Sequence, residues 1–343
     1  MTTTVSTVQP IKPSNTVDLY KLEKVDAHSL FPDVYPMPGE VKVTRRVNRH
    51  PDCLPSNPNY VPDEIVLRRF LAWWHAPQRQ AFGLHGETGT GKTELLQYVA
   101  DKLNEPVYII QMHSTLMPET VEGSRELVNV DGQVITQDKL GPLAKAYQQG
   151  GLIILDEVDK ANDSMQAALH PVVEGKPWPI EQFSITIEKH AHCRLAGTAN
   201  TTGEGGSLRY TTSRRMDNAF RSRFGWRELF YPDAATETAI LTRNYAKLPP
   251  ELRKKMVRTG ISIRDAVYAE DSDVNAVFST RTLVNWGHYM MVYGKDAQLR
   301  ESLDFSFWGS VDFDSRDAVN SILQLIWDDT LDKPLGEVIE SYA

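Results

Sequence analysis

With 343 residues, 41% of them hydrophobic and 24% charged, the chain has a globular composition and the length for about two domains, each with its own core. A formal charge of −8 and a pI near 5.6 argue against a broad basic footprint for duplex DNA, because phosphates are met by clustered Lys and Arg. No apolar run approaches bilayer length, the start Met1-Thr2-Thr3-Thr4-Val5-Ser6 lacks the basic and apolar regions of a secretory signal, and Cys53 and Cys193 lie far apart, so a soluble, cytoplasmic protein with free thiols is expected.

In chain order, residues 1–60 are rich in proline (Pro10, Pro13, Pro32, Pro36, Pro38, Pro51, Pro55, Pro58) and show little periodicity, which reads as an extension wrapped on the body or partly mobile. Lys42, Arg45, Arg46, Arg49 and His50 form its basic cluster, either a patch for an anionic partner or a solvated strand. From Glu64, the residues Ile65, Leu67, Phe70, Leu71 and Trp74 recur at helical spacing, and Gln80–His85 reads as a strand. Leu95, Val99 and Leu103 mark a helix. Pro106–Ile110, Gly151–Leu155, Arg194–Thr198 and Arg227–Tyr231 read as further short strands, the alternation expected of a parallel sheet covered by helices. Segments 234–245, 280–292 and 318–327 read as helices. The expected organisation is an extension over 1–60, an α/β parallel-sheet domain over 61–232 and a smaller helical lid domain over 233–343.

Between strand and helix stands Gly86-Glu87-Thr88-Gly89-Thr90-Gly91-Lys92-Thr93, the pattern G-x-x-x-x-G-K-[ST], followed by Glu94. Glycines allow successive backbone N–H groups to turn inward, and the following helix adds its positive end, so phosphate oxygens meet fixed dipoles. Lys92 brings a full charge to the β- and γ-phosphates, and the Thr93 hydroxyl is suited to Mg²⁺. Asp156 and Glu157 follow the apolar strand 151–155 at its carboxyl end, where open α/β sheets hold ligands. Asp156 is expected to complete the magnesium shell and Glu157 to polarise the attacking water. ATP and Mg²⁺ are therefore the expected ligands.

These motifs resemble those of AAA+ ATPases, and within them the MoxR and chelatase group with an inserted hairpin, most like the cobaltochelatase subunit CobS. The resemblance runs from about Pro58 into the helical tail. It implies that Asn200, in Leu195-Ala196-Gly197-Thr198-Ala199-Asn200, is the sensor that holds the nucleophilic water. It implies that Arg223, in Asn218-Ala219-Phe220-Arg221-Ser222-Arg223-Phe224, is the arginine finger that reaches a neighbouring subunit's nucleotide, with Arg221 in reserve. It also makes Arg281, in Ser279-Thr280-Arg281-Thr282, the lid's phosphate contact, although Thr280 stands where relatives often have proline. Residues 125–136 read independently as a β-hairpin around Asp131-Gly132, because Asp-Gly suits a tight turn. In the resembling group such a hairpin projects toward the ring pore or client.

The resemblance further implies a homo-oligomeric ring, six subunits in the family, that remodels a protein, either beside a CobT-like partner with a von Willebrand A domain or as a MoxR-like chaperone. Two other readings remain open: a nucleic-acid motor like the McrB relatives, which the acidic balance disfavours, and an ATP-gated assembly module. His190, His192 and Cys193 have metal-ligand types but no second ligand pair, so polar residues flanking a strand are expected there. Trp73 and Trp74 read as core or interface anchors.

Overall fold

The computed structural model describes residues 18–130, 133–205, 212–269, 272 and 274–343. The N-terminal part forms an antiparallel pair, β1 (Leu22–Asp26) and β2 (Lys42–Arg46), with the short helix α1 (Ala27–Leu30) between them. Phe31, Val34, Tyr35 and Val43 from this part are buried in the same core as the sheet's covering helices, and each such side chain contributes about 2 kcal/mol by leaving water. The basic cluster is divided among ion pairs: Arg45 with Glu23, buried Arg46 with Glu105, and Arg49 with Asp101.

Helix α2 (Glu64–His75) starts on Asp63, whose carboxylate accepts the Val66 N–H at 2.8 Å. Its buried stripe is Val66, Leu67, Phe70, Leu71 and Trp74, whereas Ile65 is 70% exposed. The apolar run at 65–67 holds more residues than one face takes at 100° per residue, and Ile65 is the one turned outward. Strand β3 (Ala81–His85), helix α3 (Lys92–Lys102) and strand β4 (Val107–Gln111) follow. The short helix α4 (Pro118–Glu122) then leads into a hairpin of β5 (Gly123–Val130) and β6 (Gln133–Leu140), paired over eight positions. The hairpin is longer at both ends than 125–136, and the Asp131-Gly132 turn lies outside the described residues. Leu127 and Val134 on it are 75% and 67% exposed.

Helix α5 (Pro142–Gln149), strand β7 (Gly151–Asp156), helix α6 (Asp163–Val173), a small pair β8 (Trp178–Ile180) and β9 (Ile185–Ile187), strand β10 (Cys193–Ala199), helix α7 (Asn218–Arg221) and strand β11 (Phe224–Glu228) complete the sheet region. The main sheet is parallel throughout, in the order β11-β3-β10-β7-β4. Leu152 to Leu155 of β7 are wholly buried, as a strand covered on both faces requires. The last strand lies three residues before the expected 227–231. Phe224 packs into the core, while Leu229, Phe230 and Tyr231 run past the sheet edge and line a cleft. That apolar run serves the cleft rather than the sheet.

Beyond Pro232 the chain is helical: α8 (Ala234–Asn244), α9 (Pro250–Tyr268), α10 (Thr280–Val292), α11 (Leu299–Ser306), α12 (Arg316–Trp327) and α13 (Leu335–Ser341). These close around a core of their own that includes Met256, Phe278, Trp286, Leu323 and Trp327. The expected class, a parallel α/β sheet followed by a helical region, is the architecture found. Trp74 is buried in the sheet core with Trp73 packed beside it, and among the described residues no helix is long and apolar enough to cross a membrane.

Candidate active site

Strand order assembles the site. The glycine loop leaves the end of β3, Asp156 and Glu157 end β7, and Asn200 follows β10, which lies between the other two. With neighbouring strands about 4.8 Å apart, the three carboxyl ends fall within one ligand's width.

Helix α3 begins on Gly91, at φ 93°, which offers no side chain as a cap, so the first-turn N–H groups remain available to an anion. Two loop positions need glycine on steric grounds. A Cβ at Gly86 (φ 148°) would meet the Leu229 carbonyl oxygen at 2.2 Å, and one at Gly89 (φ 78°) would meet Ser279 Cβ at 2.5 Å.

Lys92 is buried, and its ammonium donates to the carbonyls of Gly86 (2.8 Å) and Glu87 (2.9 Å) and to Asn200 Oδ1 (3.1 Å). The Thr93 hydroxyl donates to Asp156 Oδ1 at 2.7 Å. Asn200 in turn donates through Nδ2 to Glu157 Oε1 at 3.2 Å. Lys92, Thr93, Asp156, Glu157 and Asn200 thus lie side by side. The hydroxyl and carboxylate of Thr93 and Asp156 are hard oxygen ligands of the kind Mg²⁺ takes while keeping several waters.

Glu157 holds a left-handed backbone, φ 55° and ψ 47°, a conformation costing a non-glycine residue on the order of 1–3 kcal/mol and found where function fixes a side chain. Its N–H donates to Thr198 Oγ1 (3.0 Å), and its Oε2 accepts from Gln111 (2.7 Å) and Lys160 (2.8 Å). Thr198 also donates to Asp156 Oδ1 at 2.6 Å, so one buried hydroxyl orients both acids. Asp159, wholly buried, accepts from Thr201 (3.0 Å) and Ser213 (2.7 Å) and ties the chain after β10 to the acidic segment.

Arg281 joins Gly89, Thr90, Gly91 and Glu94 along a cleft of about 630 Å³, a volume within the usual range for small-ligand sites. Arg223 lies elsewhere. Phe224 and Glu228 of β11 face Ala81 and His85 of β3, which sets Arg223, one residue before Phe224, about 17 Å down the sheet from the strand end that leads into the loop. Its guanidinium pairs with Glu174 at 2.7 Å and also meets the Ala219 carbonyl. Arg221 reaches the segment that follows Asn200, pairing with Glu204 at 3.4 Å; burial holds the His85 imidazole below its ordinary pKa, and the charges of Lys92 and Arg221 add to this against Glu228.

Residues 82–224 match the family model of the AAA domain (dynein-related subfamily), and residues 237–326 match that of the CbbQ/NirQ/NorQ C-terminal domain. In carrying both domains the chain is similar to the MoxR group of AAA+ ATPases. This MoxR-like chain is 29% identical to the denitrification regulatory protein NirQ of Stutzerimonas stutzeri over 67% of its own length and 78% of NirQ. It is 26% identical to the aerobic cobaltochelatase subunit CobS of a Sinorhizobium species, over 69% of this chain and 73% of CobS. To CbbQ of Hydrogenophilus thermoluteolus it is 26% identical, over 68% and 81% of the two chains.

Several cleft residues of the MoxR-like chain carry no sequence motif. Tyr60, Val61 and Pro62 form one wall, and the Tyr60 hydroxyl donates to the Gly91 carbonyl at 3.3 Å. Asp33 grips Arg243 through two bonds of 2.8 and 2.9 Å, and Asn59 bonds Asn244 at 3.3 Å, so the N-terminal part is fastened to α8 across the cleft. Gln111 and Thr198 left a faint signal, a polar residue at or near the end of an apolar strand beside the acids.

Burial holds the Lys92 ammonium down to about 8, against the opposing pull of Asp159, Asp156, Glu87 and Glu157. The charged form is the one suited to a phosphate oxygen. ATP affinity is therefore expected to be flat below about pH 7 and to fall up to about tenfold per unit above 8, with proton uptake on binding, until the pKa of the complex is reached. For folding the sign is opposite: between 8 and 10.5 the folded chain holds fewer protons at Lys92 than the unfolded one, so the free protein gains stability there. Nucleotide titrations across this range, in two buffers of different ionisation enthalpy, check both slope and uptake. Affinity that stays level to pH ~9.5 contradicts the assignment.

Proposed function

We propose that this chain is the subunit of an ATP-driven AAA+ ring, with six copies as in the family it resembles, that remodels a protein partner. The observation carrying this is the continuous network from Lys92 through Asn200 to Glu157, beside the Thr93–Asp156 pair. Lys92 and the loop N–H groups bind the triphosphate, and Glu157 takes a proton from the water that attacks the γ-phosphorus as the bond to the β–γ bridging oxygen breaks. Asn200 holds that water in line. Thr93 and Asp156 would hold Mg²⁺, which offsets charge on the β- and γ-oxygens.

Arg223 serves the next subunit's nucleotide. Its position down the sheet from its own loop supports a role outside its own site, whereas Arg221 pairs with Glu204 in the segment after Asn200. Arg281 touches phosphate from the lid. The exposed apolar residues of the β5–β6 hairpin support contact with a client. For the partner, the likeness to CobS favours a protein with a von Willebrand A domain, within a cobaltochelatase or a related MoxR-like assembly.

The test uses Glu157→Gln as a trap. Tagged variant isolated with ATP is expected to retain a von Willebrand A protein that is released when nucleotide is removed. Recovery of RNA or DNA in its place, in a salt-sensitive manner, contradicts this reading.

A further inference from the structure

The start of α10 is held from beneath by a buried ion pair that the ATPase motifs do not include. Glu237 in α8 is wholly buried and takes both terminal nitrogens of Arg264 in α9, at 3.0 and 2.6 Å. The same Glu237 Oε1 accepts from the hydroxyl of Thr280 at 2.8 Å. Arg264 also donates to the Phe278 carbonyl at 3.2 Å, just before the cap of α10. Both sides of the turn that presents Arg281 are therefore tied to one charge pair. On the other side, the Arg264 guanidinium lies 4.8 Å from the ring centre of Tyr231, whose hydroxyl donates to the Thr88 carbonyl in the glycine loop at 2.8 Å.

From this geometry we infer that Thr280 is a positioning residue: through Glu237 and Arg264 it fixes where α10 carries Arg281, and Tyr231 ties that setting to the glycine loop. The inference rests on the reading of Arg281 as a phosphate contact. Residue identity supports it. Thr280 is the first residue of α10, after the Ser279 cap, and proline suits that position well because the N–H there has no partner in the helix. Threonine gives up that advantage and gains a hydroxyl directed at the buried carboxylate. The close approach of Ser279 to Gly89 leaves α10 little room to shift without disturbing the loop.

The test measures kcat and KM for ATP on the full chain carrying Thr280→Val, Thr280→Ser, Arg281→Ala, or Thr280→Val with Arg281→Ala. Valine keeps the shape and leaves the Glu237–Arg264 pair intact, so the melting temperature is expected to hold. Turnover at saturating ATP is expected to fall about tenfold, as small misplacements of a positioned group do. Serine should restore it to within about twofold, and the double variant should be no slower than Arg281→Ala alone. A Thr280→Val protein with full turnover overturns the inference. So does a loss repeated in full on the Arg281→Ala background, which leaves the reading of Arg281 standing. Wild-type turnover in Arg281→Ala removes that reading and this inference with it.

Discussion

Glu157→Gln is expected to bind ATP about as tightly as the unaltered protein and to release phosphate at least a hundredfold more slowly, within the range of about 10²–10⁴ that a positioned base contributes. The amide keeps the side chain's length and can still meet Asn200, so the shape of the site survives. What it loses is the capacity to take a proton, together with the Oε2 acceptor that Gln111 and Lys160 share. Glu157 is directed by a strained backbone, by Thr198 and by Gln111 and Lys160. That degree of fixation suits a group whose direction matters more than its charge alone. Phosphate release by the assembled protein and an equilibrium nucleotide titration separate the two effects. Turnover within a few-fold of the unaltered protein would show that another group handles the attacking water.

Arg223→Ala is expected to lower turnover of the assembled ring by about a thousandfold or more, the usual scale for a finger that meets transition-state charge. Its own nucleotide site should bind ATP normally, since Arg223 lies down the sheet from Lys92 and pairs with Glu174. The distinguishing measurement is mixing. Lys92→Ala subunits still offer Arg223, and Arg223→Ala subunits still offer a complete cradle. Two nearly inactive preparations should therefore regain part of the activity when combined in one ring. Arg221→Ala should slow turnover far less. A mixture that stays inactive, with rings shown to have formed, contradicts a site shared between subunits.

What could be read from residues alone followed the distance over which the physics acts. The loop at 86–93 and the acids at 156 and 157 announce themselves because each requirement is local: tight backbone angles, a helix start, an apolar strand end. Leu152 to Leu155 read as a buried strand for the same reason. Phe224–Glu228 did not, because Leu229 and Phe230 offered a stronger apolar run whose purpose is to wall a cleft. Gln111 reaches Glu157 only because β4 pairs with β7 in a register that sets Gln111 opposite Asp156. Nothing in the local sequence fixes that register. The Asp33–Arg243 and Asn59–Asn244 fastenings join residues 210 and 185 positions apart, and Tyr60 meets Gly91 31 positions on, all beyond any local pattern. Thr280 looked like a departure from its family's pattern, and its reason appears only when Glu237 is seen beneath it.

The central claim is that a backbone cradle and one buried ammonium hold the triphosphate. The most direct measurement is an ATP titration of the full chain beside its Lys92→Ala variant at neutral pH. Removing a desolvated charge that faces phosphate is expected to weaken binding by about a hundredfold, on the scale of a buried charged contact. Equal affinity in the two proteins would contradict the account.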